Sequence, residues 1–101
     1  MGPSMSFVFT WDPRKAERNF AKHGVTFAEA ATAFADPLAR IFDDLEHARQ
    51  ENREILIGHS SRQKLLVVSF LESDREIRRE IRLISARLAT THEKRDYEEG
   101  R

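Results

Sequence analysis

The sequence has no cysteine, no net charge and no long apolar run. Without cysteine there is no disulfide, no thiolate zinc site and no cysteine nucleophile, which fits a reducing compartment. The longest purely apolar run, Leu65 to Val68, is far shorter than a membrane span. The amino end also lacks the basic and apolar segments of a signal peptide. We therefore expect a cytoplasmic protein with no membrane partner.

The charges that are present cancel overall but are unevenly spread. Seventeen Lys and Arg residues balance seventeen Asp and Glu residues, so net charge does not by itself indicate a nucleic-acid partner. Residues 1–24 hold four basic against two acidic side chains, whereas residues 25–54 hold three against seven. This distribution permits a local basic patch beside an acidic loop.

The chain length allows one domain. With 101 residues, 40% of them hydrophobic, the chain can bury one small core. Met1-Gly2-Pro3-Ser4 precedes a second methionine, which is typical of a tag remnant. We therefore assign residues 1–4 to a remnant and residues 5–101 to a single domain.

The amino-terminal part predicts a strand and a helix. Residues 7–11 are aromatic and β-branched, as in a strand. Asp12-Pro13 then provides a helix cap with proline at the first helical position, and Gly24 can end the helix. On this helix we expect Ala16 and Phe20 to face the core. Another face carries basic side chains, namely Lys15, Arg18 and Lys22.

The rest of the chain predicts a short helix, a sheet and a last helix. Thr26 with Glu29 forms a capping box for the short helix, and Thr90 with Glu93 forms one for the last. A turn is predicted at 72–74, and the apolar strand before it should be central. The predicted strands cover residues 38–42, 53–59, 64–71 and 75–85. The result is an α+β domain with a small antiparallel sheet, two amino-terminal helices and one carboxyl-terminal helix.

The residue types offer few catalytic groups. The four histidines have no metal-ligand spacing, and residues 43–47 lack the glycine and spacing of a calcium loop. Strand arginines remain, because the planar guanidinium can donate two hydrogen bonds to a phosphate. Arg53, Arg82 and Arg87 are of this kind. The residues alone equally allow surface ion pairs for these arginines, and simple helix capping for Lys22 and His23.

Two groups of motifs, in order along the chain, resemble those of the BrnT toxin family. The first group comprises Trp11-Asp12-Pro13, Lys15-Ala16, Asn19, Lys22-His23-Gly24-Val25, Phe27, Glu29-Ala30 and Asp36-Pro37. The second comprises Arg82-Leu83-Ile84-Ser85-Ala86-Arg87, Ala89-Thr90, Glu93 and Tyr97-Glu98. The resemblance extends over residues 7–99.

The resemblance implies a RelE-like ribonuclease fold and a type II toxin–antitoxin system. It implies a metal-independent endoribonuclease with no cofactor, which cleaves RNA and so inhibits translation and growth. The implied partner is a BrnA-like antitoxin with a ribbon-helix-helix DNA-binding part, so operator DNA is reached only through the antitoxin.

The resemblance also implies a set of site residues. Arg53 and Arg82 would hold the phosphate, and Lys22 or His23 would assist proton transfer. Further substrate contacts are expected from Lys15, Arg18 and Arg87, although an ion pair with Glu93 is an equal alternative for Arg87. We expect Tyr97 to pack against the sheet, Trp11 to be a buried indole and Asp12 to cap a helix.

One position departs from the family pattern. In the family pattern, many relatives carry a histidine near the end of the central strand, where this chain has Ser69-Phe70. The general base is therefore unassigned, which leaves open a second function, an antitoxin-binding module without catalysis. A direct DNA-binding regulator ranks last, because the last helix mixes Lys94 and Arg95 with acidic residues.

Overall fold

The computed structural model describes residues 6–46, 52–75 and 78–100, which form one sheet and three α-helices. The predicted tag remnant lies outside these ranges. In chain order the elements are β1 (Ser6–Thr10), α1 (Pro13–His23), α2 (Phe27–Thr32), β2 (Arg40–Asp43), β3 (Arg53–His59), β4 (Leu65–Arg75), β5 (Arg78–Leu88) and α3 (Thr91–Glu99). A 3-10 turn, Ala33–Ala35, follows α2. The predicted α+β class and the order of the helices are confirmed.

The sheet is mixed, with the strand order β1-β5-β4-β3-β2. The apolar strand β4 is central, as predicted. The strands β2 to β5 pair antiparallel, but β1 lies parallel to β5. The prediction of a wholly antiparallel sheet is therefore wrong at β1. Parallel neighbours need a long crossover connection, and here most of the chain separates the two strands.

The predicted turn at 72–74 is also wrong. β4 continues to Arg75 and pairs there with Arg78. The extension is stabilised across the strands, because Arg79 forms an ion pair with Glu72 at 3.0 Å. Residues 76–77, which join the two strands, lie outside the described part of the chain.

Local signals place α1 and α2 as expected. The Asp12 side chain accepts a hydrogen bond from the Arg14 N–H, and Gly24 ends α1 with φ +71°. Thr26 accepts from the Glu29 N–H, but the Glu29 carboxylate accepts from Ser60 Oγ instead of completing the predicted capping box.

The core lies between α1 and α2 and one face of the sheet. Its buried residues are Val25, Phe27, Ala30, Ala33, Leu56, Leu66, Val68, Phe70, Ile81, Leu83 and Ala86. Gly58 lets the turn after α2 approach the sheet, since a Cβ there would lie 3.0 Å from the Ala33 carbonyl oxygen. The expectation for Phe20 is wrong: it is 54% exposed, and Asn19 is the buried residue of α1.

The opposite face of the sheet carries α3 at one end. Arg87 of β5 pairs with Val67 of β4, which alternates with the core residues Leu66 and Val68, so Arg87 points away from the core. Its guanidinium contacts Glu93 of α3. The remainder of this surface is here called the open face; it includes Val8, Thr10, Phe42, Arg53, Ile55, Ser69, Leu71, Ser73, Arg78, Glu80, Arg82 and Ser85. Within the described ranges, no helix is long and apolar enough to span a membrane.

Candidate functional site

Two of the predicted site arginines lie in one row across the open face. Arg82 of β5 pairs with Leu71 of β4, and Leu71 pairs with Arg53 of β3. Cross-strand partners share a face and adjacent strands are about 4.8 Å apart, so the two arginine Cα atoms are roughly 10 Å apart. Arg82 is exposed and Arg53 is half-buried. The register therefore places both side chains on the same face, one on each side of Leu71.

The basic residues of α1 gather beside the same strand. β1 pairs with β5 only as far as Arg82, and α1 packs along the portion of β5 beyond it. A shallow groove there is lined by Lys15, Arg18, Asn19, Lys22, His23, Ile84 and Ser85. Ser85 follows Arg82 by three residues, with a bulge between them. The groove therefore adjoins the arginine row on the β5 side of the open face.

Asn19 fixes α1 to the free edge of β5. Its Oδ1 accepts from the Ala86 N–H at 3.0 Å, and its Nδ2 donates to the Ala86 carbonyl at 2.8 Å. Nδ2 also donates to the Val25 carbonyl at 3.0 Å. The amide thus takes the place of a neighbouring strand and sets the position of the cations on α1. Sequence reasoning assigned Asn19 no role, because its partner lies 67 residues away.

Arg87 is held by the last helix. Its two terminal nitrogens donate to the two carboxylate oxygens of Glu93 at 2.7 and 2.8 Å. These hydrogen bonds lower the pKa of Glu93 to about 2 against the opposing effect of burial, and they raise the pKa of Arg87. The ion pair considered for Arg87 is therefore present, and a phosphate there would share the guanidinium with Glu93.

A cluster that the sequence did not indicate joins three distant residues. Tyr97 Oη donates to Asp36 Oδ2 at 2.7 Å, and the His59 backbone N–H donates to the same oxygen at 2.8 Å. His59 Nδ1 lies 3.1 Å from Tyr97 Oη. Burial, and then the hydrogen bond to Asp36, raise the pKa of Tyr97 to about 12. Burial opposes ionisation of Asp36, but its hydrogen bonds prevail and its pKa is lowered.

The position of this cluster favours a structural role. His59 and Arg53 are at opposite ends of β3, so their Cα atoms are about 20 Å apart. That separation is too great for both to act on one phosphate. Tyr97 instead holds α3 against the sheet, in keeping with its expected packing. No sequence spacing could reveal the cluster, since its members come from three separate elements.

Ser69 and Phe70, where the family resemblance implies a histidine, lie in two different environments. Phe70 is 1% exposed and belongs to the core. Ser69 faces the open side between Ile55 and Ser85. A serine hydroxyl can form hydrogen bonds there but does not act as a base at neutral pH. Trp11, expected to be buried, is half-buried and packs edge-on against Phe27.

Within residues 6–46, 52–75 and 78–100, no cluster of three or more His, Asp or Glu side chains could hold a metal ion. The charged groups on the open face include the cations Arg53, Arg78 and Arg82 and one carboxylate, that of Glu80. Cations of this kind can bind phosphate and stabilise developing negative charge.

Comparison with known proteins places this architecture in a class and then in a family. The fold is similar to the crystal structure of the Brucella abortus ribonuclease toxin BrnT, with a TM-score of 0.63 and 25% sequence identity, covering 85% of this chain and 99% of that one. The domain is therefore of the small α+β ribonuclease-toxin class.

The family model of the ribonuclease toxin BrnT of type II toxin–antitoxin systems matches residues 11–93. The chain belongs to the BrnT family, as the sequence motifs indicated. Membership of a type II system implies an antitoxin partner. Among curated proteins, none matches this chain.

Proposed function

We propose that this protein is an endoribonuclease toxin that cleaves RNA on its open face without a metal ion. The observation that carries the proposal is the row formed by Arg53 and Arg82 beside the basic groove of α1. This arrangement offers several cations to adjacent phosphates of one RNA strand, although the net charge of the chain is zero.

The proposed reaction uses the RNA's own nucleophile. A ribose 2′-hydroxyl attacks the neighbouring phosphorus, the bond to the 5′-oxygen breaks, and a cyclic phosphate forms at the new 3′ end. Arg53 and Arg82 stabilise the negative charge that develops on the phosphate oxygens. Lys22 or His23 assists the transfer of the proton from the 2′-hydroxyl to the leaving oxygen. Substrate phosphates on either side are held by Lys15, Arg18 and Arg87.

The proposed cellular role follows from RNA cleavage. Loss of RNA stops translation and growth in the cytoplasm, and a BrnA-like antitoxin of the ribbon-helix-helix type neutralises the toxin. The pair reaches operator DNA only through that antitoxin.

Cleavage of a defined, ribosome-free RNA in EDTA tests the chemistry. We expect fragments with cyclic-phosphate ends, and a decrease in rate of at least about 100-fold for Arg82→Ala, because a charge-stabilising donor is lost. Arg78→Ala is the matched control: it is exposed on the same strand and face, but about 13 Å from Arg82. Equal loss of activity in both variants, or cleavage that EDTA abolishes, would contradict the proposal.

A second candidate function is an antitoxin-binding module without catalysis. It is favoured by Ser69, which leaves no imidazole at the centre of the open face. Expression of the toxin without its antitoxin discriminates between the two. Growth arrest that Arg82→Ala relieves supports the ribonuclease, whereas harmless wild-type protein supports the binding module.

A further inference from the structure

An apolar groove lies on the side of the sheet opposite the arginine row. There α1 and α2 leave one end of the sheet uncovered, and the groove has a volume of about 560 Å³. Its floor includes Leu56 and Phe70 of the core. Phe7 of β1 and Ile41 of β2 line its two sides and are 56% and 54% exposed. An exposed apolar concavity of this kind is typical of a protein interaction site.

The rim of the groove is acidic. Asp43 and Glu54 are register partners on the same face as Ile41 and Leu56, and Glu72 lies nearby on β4. Burial, followed by the neighbouring Glu72 and Asp43, raises the pKa of Glu54, while Arg79 opposes this effect. Asp43, Glu54 and Glu72 thus form a group of three carboxylates beside one guanidinium, that of Arg79, which forms an ion pair with Glu72. This surface repels RNA phosphates and attracts a cation.

A symmetric contact between two copies of the chain is disfavoured by the same charges. A two-fold interface places the same patch of both subunits in contact. The three carboxylates of one groove would then face those of the other, and each copy would bring only one guanidinium, that of Arg79, to offset them. The apolar floor with an acidic rim instead fits a segment whose apolar side chains are flanked by Lys or Arg.

We propose that this groove is the docking site for the antitoxin, and that it receives an apolar segment flanked by basic residues. The proposal deepens the proposed function, since it rests on a toxin that has an antitoxin. It places the anchor of the antitoxin on the face opposite Arg53 and Arg82. Anchoring of the antitoxin and cleavage of RNA can therefore be separated by mutation.

Binding of the full-length antitoxin encoded beside the toxin gene tests this assignment. We expect Ile41→Asp to raise the Kd at least about 10-fold, because a charge replaces an apolar contact. Phe20→Asp is the matched control, since Phe20 is 54% exposed on α1, outside the groove. RNA cleavage by Ile41→Asp, measured without antitoxin, should equal that of the wild type.

A second, milder pair of variants tests the groove even if Ile41→Asp disturbs the folding of β2. Glu54→Gln keeps the shape of the side chain and removes one charge from the rim. Glu17→Gln is its control, because it removes one charge from the exposed side of α1. We expect Glu54→Gln alone to raise the Kd about threefold and to weaken the salt dependence of binding.

Three results would overturn the proposal. Antitoxin affinity unchanged in folded Ile41→Asp and Glu54→Gln excludes the groove. Affinity lost only in Arg53→Ala or Arg82→Ala places the antitoxin on the open face. If Ile41→Asp and Glu54→Gln alter only the self-association of the toxin, the groove binds a second copy of the chain. Absence of cleavage by the wild type would contradict the ribonuclease proposal and leave the binding result intact.

Discussion

At the scale of single residues, Asn19 links the basic helix α1 to β5, the strand that carries Arg82. Its amide is 7% exposed and makes three hydrogen bonds, two of them to Ala86. A strand edge facing a helix would otherwise leave a backbone N–H and a carbonyl unsatisfied. One side chain therefore allows α1, with its basic residues, to lie directly against β5.

Replacement of Asn19 should be costly for this reason. We expect Asn19→Ala to lower the free energy of unfolding by about 2–4 kcal/mol, because it leaves buried polar groups without partners. Urea denaturation monitored by circular dichroism measures the change, with Glu17→Ala, exposed on the same helix, as the control. A loss below about 0.5 kcal/mol would mean that water replaces the amide.

At the scale of elements, α3 is held mainly by polar contacts. It has nine residues, none of them buried, and a helix of this length is marginal when isolated. Thr90 and Glu93 form the predicted capping box, and Glu93 also binds Arg87. Tyr97 adds its hydrogen bond to Asp36. The attachment of α3 should therefore depend on the charge of Glu93.

Acid should weaken this attachment. The pKa of Glu93 is about 2 in the folded protein, against an ordinary value of 4.5. A lowered folded pKa stabilises the fold above about pH 4.5, and this contribution is lost as the pH falls toward 2. Because the ion pair is partly exposed, we expect it to contribute only about 1 kcal/mol to the free energy of unfolding.

Glu93→Gln isolates the charge, because glutamine can also complete a capping box. Unfolding free energies at pH 7 and pH 3 provide the measurement. The difference between wild type and variant should be about 1 kcal/mol at pH 7 and less than half of that at pH 3. A difference that does not vary with pH would show that the ion pair contributes nothing.

At the scale of the whole molecule, the two sides of the sheet have opposite character. One side carries Arg53 and Arg82, and the other has an apolar groove with an acidic rim. The net charge of zero therefore conceals an uneven distribution of charge between the two faces of the sheet. RNA affinity should depend on a few local cations rather than on the field of the entire protein.

Salt dependence of RNA binding tests this division. If five cations contact phosphates, the slope of log K against log salt should be about −3.5 for single-stranded RNA. Arg82→Ala should reduce its magnitude by about 0.7, and Arg78→Ala should leave it unchanged. Fluorescence anisotropy with a labelled RNA measures both. Equal slopes for wild type and Arg82→Ala would mean that Arg82 does not contact phosphate.

The local features were accessible from the sequence because neighbouring residues determine them. Asp12-Pro13, Gly24 and the Thr90 capping box are all found where predicted, and β3 has its predicted bounds. Capping depends on residues within one turn of helix, and strand patterning depends on alternation along a few residues. The order of strands and helices indicated the α+β class, and the family motifs added the functional class.

Only the tertiary structure decided how distant segments meet. The parallel pairing of β1 with β5, the exposure of Phe20 and the contacts of Asn19 all depend on elements far apart in the chain. The row of Arg53 and Arg82 likewise requires the register of three strands, which no local signal encodes. The sequence by itself determined the elements and the supply of cations, whereas packing decided which cations share a surface, because strand register follows from burial of the whole sheet.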